Sequence, residues 1–185
     1  VGNGTTHTIA YSYDGIIWTG LGRNIFTSLG IGIAYNGTMW LALGSGATHC
    51  IAYSYNGITW DGIPKSTNTF TGAGNGAAWN GTMWVAVGSG TNSIIYSLNG
   101  IDWTPVPNST STFSLVAYKI AWNGTIWVAV GRGANSIAYS FDGSSNWYGI
   151  PNSIDTFTST GWGISYNGTM WVLSLIHISE PTRPY

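Results

Sequence analysis

Short apolar runs bounded by Gly, Asn, Ser or Thr recur along the chain and indicate strands rather than helices. The clearest run is Met39–Leu43, and it returns at Met83–Val87 and Ile126–Val130. Because these runs are apolar at every position, each predicts a central strand that is covered on both faces. The pattern before residue 173 contains no helical period.

Three groups of positions repeat along the chain with one shared period. The string Asn-Gly-Thr-(Met/Ile)-Trp begins at Asn36, Asn80, Asn123 and Asn167, with spacings of 44, 43 and 44 residues. The string Tyr-Ser-x-(Asp/Asn)-Gly begins at Tyr11, Tyr53, Tyr96 and Tyr139, with spacings of 42, 43 and 43. A Phe recurs at Phe26, Phe70, Phe113 and Phe157. A period common to three independent columns predicts a repeat architecture.

Each repeat predicts four short antiparallel strands. In the best-defined copy these are a strand that ends at Tyr35, then Met39–Leu43, Ile51–Tyr55 and Ile58–Trp60. The Asn36-Gly37 pair predicts a two-residue hairpin after the first strand, since its residues tolerate positive φ angles. The segment Pro64–Thr69 predicts a polar link to the next repeat.

Four strands in about 43 residues are typical of one blade of a β-propeller. The predicted fold is therefore all-β, with about four blades over residues 1–172, both ends cut within a blade, and further blades expected in a longer protein. The recurring Trp40, Trp84, Trp127 and Trp171 are expected to fill the space between neighbouring blades. A stack of sheets that does not close into a ring is the alternative architecture.

The last residues break the repeat abruptly after Val172. The segment Leu173–Pro184 resembles a translated sequencing adapter, so residues 173–185 are predicted to be a non-native tail and are left out of the fold prediction.

The turn after the third strand resembles the Asp-box, or BNR, repeat of sialidase-like propellers, whose pattern is Ser-x-Asp-x-Gly-x-Thr-Trp. The matching positions are Ser12, Asp14, Trp18, Ser54, Asn56, Trp60, Ser97, Asn99, Trp103, Ser140, Asp142 and Trp147. Three copies are one residue shorter than the family pattern, and two carry Asn in place of Asp. The resemblance implies a structural role for these residues, in which the carboxylate accepts amide hydrogen bonds within the turn. Similar repeats occur in giant viruses of algae and in environmental sequences.

The composition argues against nucleic acid, a membrane span and a metal ion as partners. Charged residues make up 6 % of the chain, against roughly a quarter in an ordinary soluble domain, and the net charge is -1. Five Lys and Arg residues give no basic footprint for nucleic acid. No apolar run reaches the ~18 residues of a membrane span. One cysteine, Cys50, makes no internal disulfide, and no spacing of Cys and His predicts a metal site. No cofactor is predicted.

The residues also argue against catalysis. A sialidase reaction needs an arginine cluster, an activated tyrosine with a glutamate partner, and an acid. Before residue 173 the chain has two arginines, Arg23 and Arg132, and no glutamate. His7 and His49 occupy the same place in successive repeats, which indicates a shared loop role rather than a nucleophile's base. No catalytic residue is assigned.

Ligand-binding candidates lie on the rim that the resemblance implies, opposite the Asp-box turns, or break the repeat. The loop residues are His7, His49, Asn92, Arg132, Asn135 and Asp155. The aromatic residues that depart from the repeat are Tyr148 and Trp162. Polar loops with aromatic rings are suited to glycans, although each of these residues also fits an ordinary role in a solvated loop or in the core.

The leading hypothesis from the sequence is a non-catalytic propeller segment of an extracellular or surface protein that binds glycans or another protein. One alternative is a structural repeat of a virion or cell-surface fibre. Another is part of a glycoside hydrolase whose catalytic residues lie outside these repeats. Self-association through unpaired blade edges is also expected.

Overall fold

The structure is a computed structural model of the 185-residue chain, and it describes residues 1–156 and 160–175. The described part is all-β and consists of antiparallel sheets in chain order, as the sequence predicts at that level.

Each complete sheet is a four-stranded meander, in which every strand pairs with the next one along the chain. The first complete sheet contains β3 (Leu29–Tyr35), β4 (Trp40–Ser45), β5 (Ile51–Ser54) and β6 (Asp61–Gly62). The second contains β7 (Gly74–Trp79), β8 (Trp84–Gly88), β9 (Ile94–Ser97) and β10 (Thr104–Pro105). The third contains β11 (Val116–Trp122), β12 (Trp127–Arg132), β13 (Ile137–Ser140) and β14 (Tyr148–Gly149).

A two-stranded sheet lies at each end of the described stack. The first is formed by β1 (Ala10–Tyr11) and β2 (Thr19–Gly20), which hold the third and fourth strand positions of a repeat. The last is formed by β15 (Gly161–Tyr166) and β16 (Trp171–Leu175), which hold the first and second positions. β16 continues past Val172, the predicted end of the repeats, and Leu173 pairs with Ile164. Residues 176–185 of the predicted tail lie outside the described residues.

The Asn-Gly turn is longer than predicted. Tyr35 pairs with Trp40, so four residues connect the strands instead of two. Gly37 has a φ of 101°, whereas Asn36 does not have a positive φ. The Asn36 side chain explains the difference, because its Oδ1 accepts hydrogen bonds from Thr38 N at 3.0 Å and Met39 N at 2.7 Å. An Asx turn therefore replaces the predicted two-residue hairpin.

The prediction that Ile58–Trp60 forms the fourth strand is wrong. The fourth strand is Asp61–Gly62, because Asn56 Oδ1 takes the amides of Ile58 and Thr59 into the preceding turn at 2.9 and 2.8 Å. Amides bonded in this way are not free to join a sheet ladder.

The polar links contain single helical turns, which were not predicted. These are α1 (Ser66–Thr69), α2 (Ser109–Thr112) and α3 (Ser153–Thr156). One turn is too short to produce a helical period, so the pattern carried no signal for it.

The core lies between the sheets. Trp84, Val85, Ala86 and Val87 of β8 are all buried, which confirms the prediction of a central strand covered on both faces. Trp127 of β12 is also fully buried. By contrast Trp40 and Trp171 are only partly buried, so the recurring indoles are enclosed only in the interior of the stack.

The first strands form the common edge along which the sheets stack. β3, β7, β11 and β15 contact one another in chain order, and the second strands β4, β8 and β12 contact the first strand of the next sheet. The backbones of adjacent first strands lie close together, since a Cβ on Gly32 of β3 would clash with Asn75 O of β7. Each of the four strands carries a β-bulge near its start, at Ile31, Asn75, Tyr118 and Trp162.

The Phe column joins the links to the sheets. Phe26, Phe70 and Phe113 are fully buried, and each ring lies against a glycine of a second strand, as Phe70 does against Gly88. The fourth member, Phe157, lies outside the described residues. In the part of the chain that is described, no helix is long and apolar enough to cross a membrane.

We predict that Phe70→Ala lowers the free energy of unfolding by about 3–5 kcal/mol, because it removes a fully buried ring and leaves a cavity. Phe141→Ala is the matched control, since Phe141 is largely exposed, and it should change stability by no more than about 0.5 kcal/mol. Urea denaturation measures both values. Equal losses in the two variants would show that Phe70 does not anchor its link in the core.

Candidate binding site

The four Asp-box-like turns share one hydrogen-bond pattern. In the first, Asp14 Oδ1 accepts the amides of Ile16 and Ile17, both at 2.8 Å, and Ser12 Oγ accepts Gly15 N at 2.9 Å. Trp18 Nε1 donates to Gly15 O at 3.1 Å. The corresponding positions are Ser54, Asn56 and Trp60 in the second turn, Ser97, Asn99 and Trp103 in the third, and Ser140, Asp142 and Trp147 in the fourth.

Asn can replace Asp in two of these turns because a single side-chain oxygen accepts both amide hydrogen bonds. Asn56 Oδ1 and Asn99 Oδ1 accept the same pair of amides as the Asp oxygens do. The Asp and Asn side chains therefore point into their own turns. Their hydrogen bonds fix the backbone just before the fourth strand of each sheet.

The carboxylates in these turns are held in their charged form. Backbone amides of Ile17 and Ile16 lower the pKa of Asp14. At Asp142, burial by itself raises the pKa, but hydrogen bonds from Ser145 and Asn146 outweigh it and place the pKa well below its usual range.

Four of the ligand candidates occupy one repeat position. The two histidines contact the chain just after the fourth strand of their own sheet, whereas the two asparagines contact the link that precedes its first strand. His7 Nδ1 accepts Gly22 N at 2.8 Å, and His49 Nδ1 lies 3.1 Å from Ile63 O. Asn92 Nδ2 donates to Thr69 O at 2.8 Å, and Asn135 Nδ2 donates to Thr112 O at 3.0 Å. The polar atoms that a ligand would use are engaged, at least in part, in contacts within the protein.

Cys50 takes the place of a hydroxyl in the neighbouring position. Its Sγ donates to Ser66 O at 2.8 Å, as Ser93 Oγ does to Ser109 O at 2.6 Å. Burial raises the pKa of the Cys50 thiol, which disfavours the reactive thiolate.

Two of the remaining candidates stand apart. Arg132 is exposed at the end of β12, and Asp155 is exposed in the first turn of α3. Neither of them lines the cleft in which Asn135 and Tyr148 lie.

Tyr148 and Asn135 meet in a polar cleft of about 340 Å³, which we name the outer cleft. It lies between the link that contains α2 and the fourth Asp-box-like turn. Its lining consists of amides, hydroxyls, glycine, proline and two aromatic rings: Pro107, Asn108, Ser111, Thr112, Asn135, Ser145, Asn146, Trp147, Tyr148 and Gly149. Tyr148 is 49 % exposed, and its ring packs on Tyr139 with centroids 5.4 Å apart, so the ring is held at the surface by the ring beneath it.

The cleft at the corresponding place in the first repeat has a different lining. It is formed by the first link and the second Asp-box-like turn, and Leu21, Ile25 and Trp60 are among its residues. The first repeat therefore does not share the polar lining of the outer cleft.

Trp162 lies at the common edge of the first strands. It is 42 % exposed and stacks on Tyr118, with ring centroids 4.3 Å apart and planes at 28°. On the neighbouring strand, Lys119 Nζ donates to Asn75 O at 3.3 Å, and Asn75 Nδ2 donates to Ala117 O at 2.9 Å. Partial burial lowers the pKa of Lys119.

Tyr118 and Lys119 are not among the residues predicted from the sequence, although the repeat contains a signal for them. Lys119 stands where the other repeats have Gly32, Gly76 and Gly163, and Tyr118 occupies the variable bulge position of an otherwise regular strand. Alignment of the repeats position by position would have identified both residues as departures from the pattern.

No family model matches the chain, and no curated protein matches it in sequence. Within residues 1–156 and 160–175, no group of three His, Cys, Asp or Glu side chains is placed to hold a metal ion.

We predict that Asp142→Asn weakens the acid dependence of stability. The folded-state pKa of Asp142 is depressed, so its stabilising contribution is present above the unfolded pKa of ~3.9 and is lost as the pH falls below it. The variant should keep the turn, as Asn56 does, but lose the bonds that Ser145 and Asn146 donate to the second oxygen. It should therefore be less stable than the wild type at neutral pH, and the difference should shrink in acid.

Thermal unfolding at neutral pH and at several pH values below about 5 measures this effect. Asp61→Asn is the control, because Asp61 is an exposed carboxylate outside the turns. A constant difference between wild type and Asp142→Asn at every pH would contradict the assignment.

Proposed function

We propose that this chain is a non-catalytic binding module of β-propeller type and that it recognises glycans in the outer cleft. The observation that carries the proposal is the polar lining around a half-exposed, supported Tyr148 ring. The function rests on this site and not on the repeat scaffold, since one scaffold can host many functions.

The propeller architecture is supported by the order of the sheets. Each complete sheet is a four-stranded meander, and the first strands of successive sheets lie side by side. A propeller arranges its blades in this way around a central axis. The Asp-box resemblance supports a sialidase-like or BNR-type propeller, since the hydrogen bonds in all four turns match the pattern implied for that family.

The chemistry of the outer cleft favours an uncharged sugar. Hydroxyls of a sugar exchange hydrogen bonds with amides such as those of Asn108 and Asn135, and the apolar face of the sugar ring packs on an aromatic ring. The lining contains no carboxylate and no basic side chain. A charged glycan would find no counter-ion in the cleft.

The same lining supports a binding role rather than hydrolysis. Glycosidases of the common type use two carboxylates on either side of the scissile bond. The side chains around the outer cleft offer amides, hydroxyls and rings for that position instead. An extracellular or surface location agrees with this function, because glycans are displayed there.

We predict that Tyr148→Ala lowers the affinity for a bound neutral oligosaccharide about tenfold, or ~1.4 kcal/mol, because the sugar loses its stacking surface. An array of neutral and acidic oligosaccharides identifies the ligand, and titration calorimetry measures the affinity. The wild type should bind neutral members of the array.

Tyr55→Ala is the matched control, since Tyr55 is an exposed tyrosine in the second Asp-box-like turn and lies outside the outer cleft. This variant should bind as the wild type does. Equal losses in both variants, binding to acidic sugars only, or turnover of a glycoside would contradict the proposal.

A further inference from the structure

Four turns between first and second strands share one set of contacts, and we name them the Asn-Gly-Thr turns: they begin at Asn36, Asn80, Asn123 and Asn167. Asn36 Oδ1 accepts the amides of Thr38 and Met39, and Thr38 Oγ1 donates to the same oxygen at 3.1 Å. The other three asparagine oxygens accept the corresponding hydrogen bonds at 2.8 to 3.0 Å. The fold therefore uses the oxygen of each side-chain amide.

The nitrogen of the same amides takes no part in the turns. Among the residues that the structure describes, Nδ2 of these four asparagines has no hydrogen-bond partner. The Nδ2 atoms of Asn36, Asn80 and Asn123 are not buried either. These nitrogens are therefore open to solvent.

The Asp-box-like turns show that an oxygen acceptor does not by itself require asparagine. Asp14 and Asp142 occupy the position that Asn56 and Asn99 hold in the other two copies, and each of the four oxygens accepts two backbone amides. An aspartate would supply the same acceptor in the Asn-Gly-Thr turns. All four of those turns nevertheless carry asparagine and so keep an amide nitrogen that the fold does not use.

The threonine is a second residue type that such a turn does not need. Two residues after the Asp or Asn, three of the Asp-box-like turns have an isoleucine, which donates to the side-chain oxygen through its amide alone: Ile16, Ile58 and Ile101. The Asn-Gly-Thr turns have a threonine there in every copy. An asparagine followed two residues later by threonine is the acceptor sequence for N-glycosylation.

We propose that the Asn-Gly-Thr turns are N-glycosylation sites, with Asn Nδ2 as the acceptor atom. The donor is a lipid-linked oligosaccharide diphosphate. Nδ2 forms a bond to C1 of the first sugar, the bond from C1 to the diphosphate oxygen breaks, and the diphosphate leaves with the electron pair. Nδ2 gives one proton to a base of the transferring enzyme. The product is still an amide, so Oδ1 keeps its hydrogen bonds and the turn is preserved.

The surroundings of the triplet separate these turns from the one at Asn108. The middle residue of the triplet is exposed in the turns of the three complete sheets, at Gly37, Gly81 and Gly124. In Asn108-Ser109-Thr110 the middle residue is buried, where Ser109 Oγ accepts Ser93 N at 3.3 Å and Ser109 O accepts Ser93 Oγ at 2.6 Å. Asn108 also lines the outer cleft, which a glycan there would enter. The proposed sites are therefore the Asn-Gly-Thr turns alone.

Glycosylation of the turns requires the extracellular or surface location proposed above, but it does not require sugar binding in the outer cleft. None of the residues in the Asn-Gly-Thr turns lines that cleft. Protein made without glycans tests binding in the cleft, whereas glycan occupancy tests the turns. The two proposals therefore fail or succeed separately.

Translation of the 185-residue chain with a secretory leader, in the presence of microsomes, tests the acceptor sites whether or not a variant folds. Enzymatic release of the glycans in heavy-oxygen water, followed by mass spectrometry, marks each asparagine that carried one. The asparagines of all four Asn-Gly-Thr turns should be marked. Thr38→Val should remove the glycan from Asn36 alone, whereas Thr38→Ser should keep it.

Asn56→Gln is the matched control, because Asn56 also precedes a glycine in a turn but has Ile58 in place of the threonine. This variant should carry as many glycans as the wild type. A chain without glycans, or one with glycans only at the other two Asn-x-Thr triplets, which begin at Asn3 and Asn108, would overturn the proposal.

Thermal unfolding of protein from a bacterial host tests whether the fold uses only the oxygen of Asn36. Asn36→Asp should unfold at the temperature of the wild type at neutral pH, because a carboxylate accepts the same amides. Asn36→Ala should unfold at a lower temperature, because the amides of Thr38 and Met39 lose their acceptor. Equal losses in the two variants would show that Nδ2 is needed for the turn, and that result would overturn the proposal as well.

Discussion

The second strand of each repeat is apolar on both faces, and this constraint governs the rest of the structure. A strand such as Trp84–Gly88 is stable only when sheets cover it from both sides, because apolar surface left in water costs about 25 cal/mol per Å². The contact between successive sheets covers these faces. In it a methionine of one sheet packs on a tryptophan and a glycine of the next, as Met39 does on Trp84 and Gly100. Each sheet is therefore stable only when neighbouring sheets pack against it.

Residues at repeated positions stabilise the sheets and turns. Residues that depart from the repeat are therefore the better candidates for ligand binding. The Asp-box-like oxygens, His49 and Cys50 all bind to backbone atoms within their own repeat. Tyr148 and Lys119 depart from the pattern: Tyr148 lines the outer cleft, and Lys119 donates to Asn75 O of the neighbouring sheet. Repetition separates the two groups without reference to any other protein.

The period, the antiparallel meander and the buried second strands could be predicted from the sequence, because they follow from apolar pattern and repeat spacing. The position of the fourth strand could not be predicted. Ile58–Trp60 has strand-like residues, but the amides of Ile58 and Thr59 donate to Asn56 Oδ1 within a turn. The outer cleft was predicted only as the separate residues Asn135 and Tyr148. That they meet depends on how the link with α2 packs beside the next sheet, and no local pattern records this packing.

Hydrogen exchange followed by mass spectrometry tests most directly whether stacking holds the fold together. Amides of β8 and β12, which lie in the interior of the stack, should be the slowest to exchange and should do so only through global unfolding. Those of β1 and β2, in a half sheet, should exchange much faster. If the amides of β8 and β12 exchanged as fast as those of β1 and β2, the sheets would not depend on their neighbours and the account would be wrong.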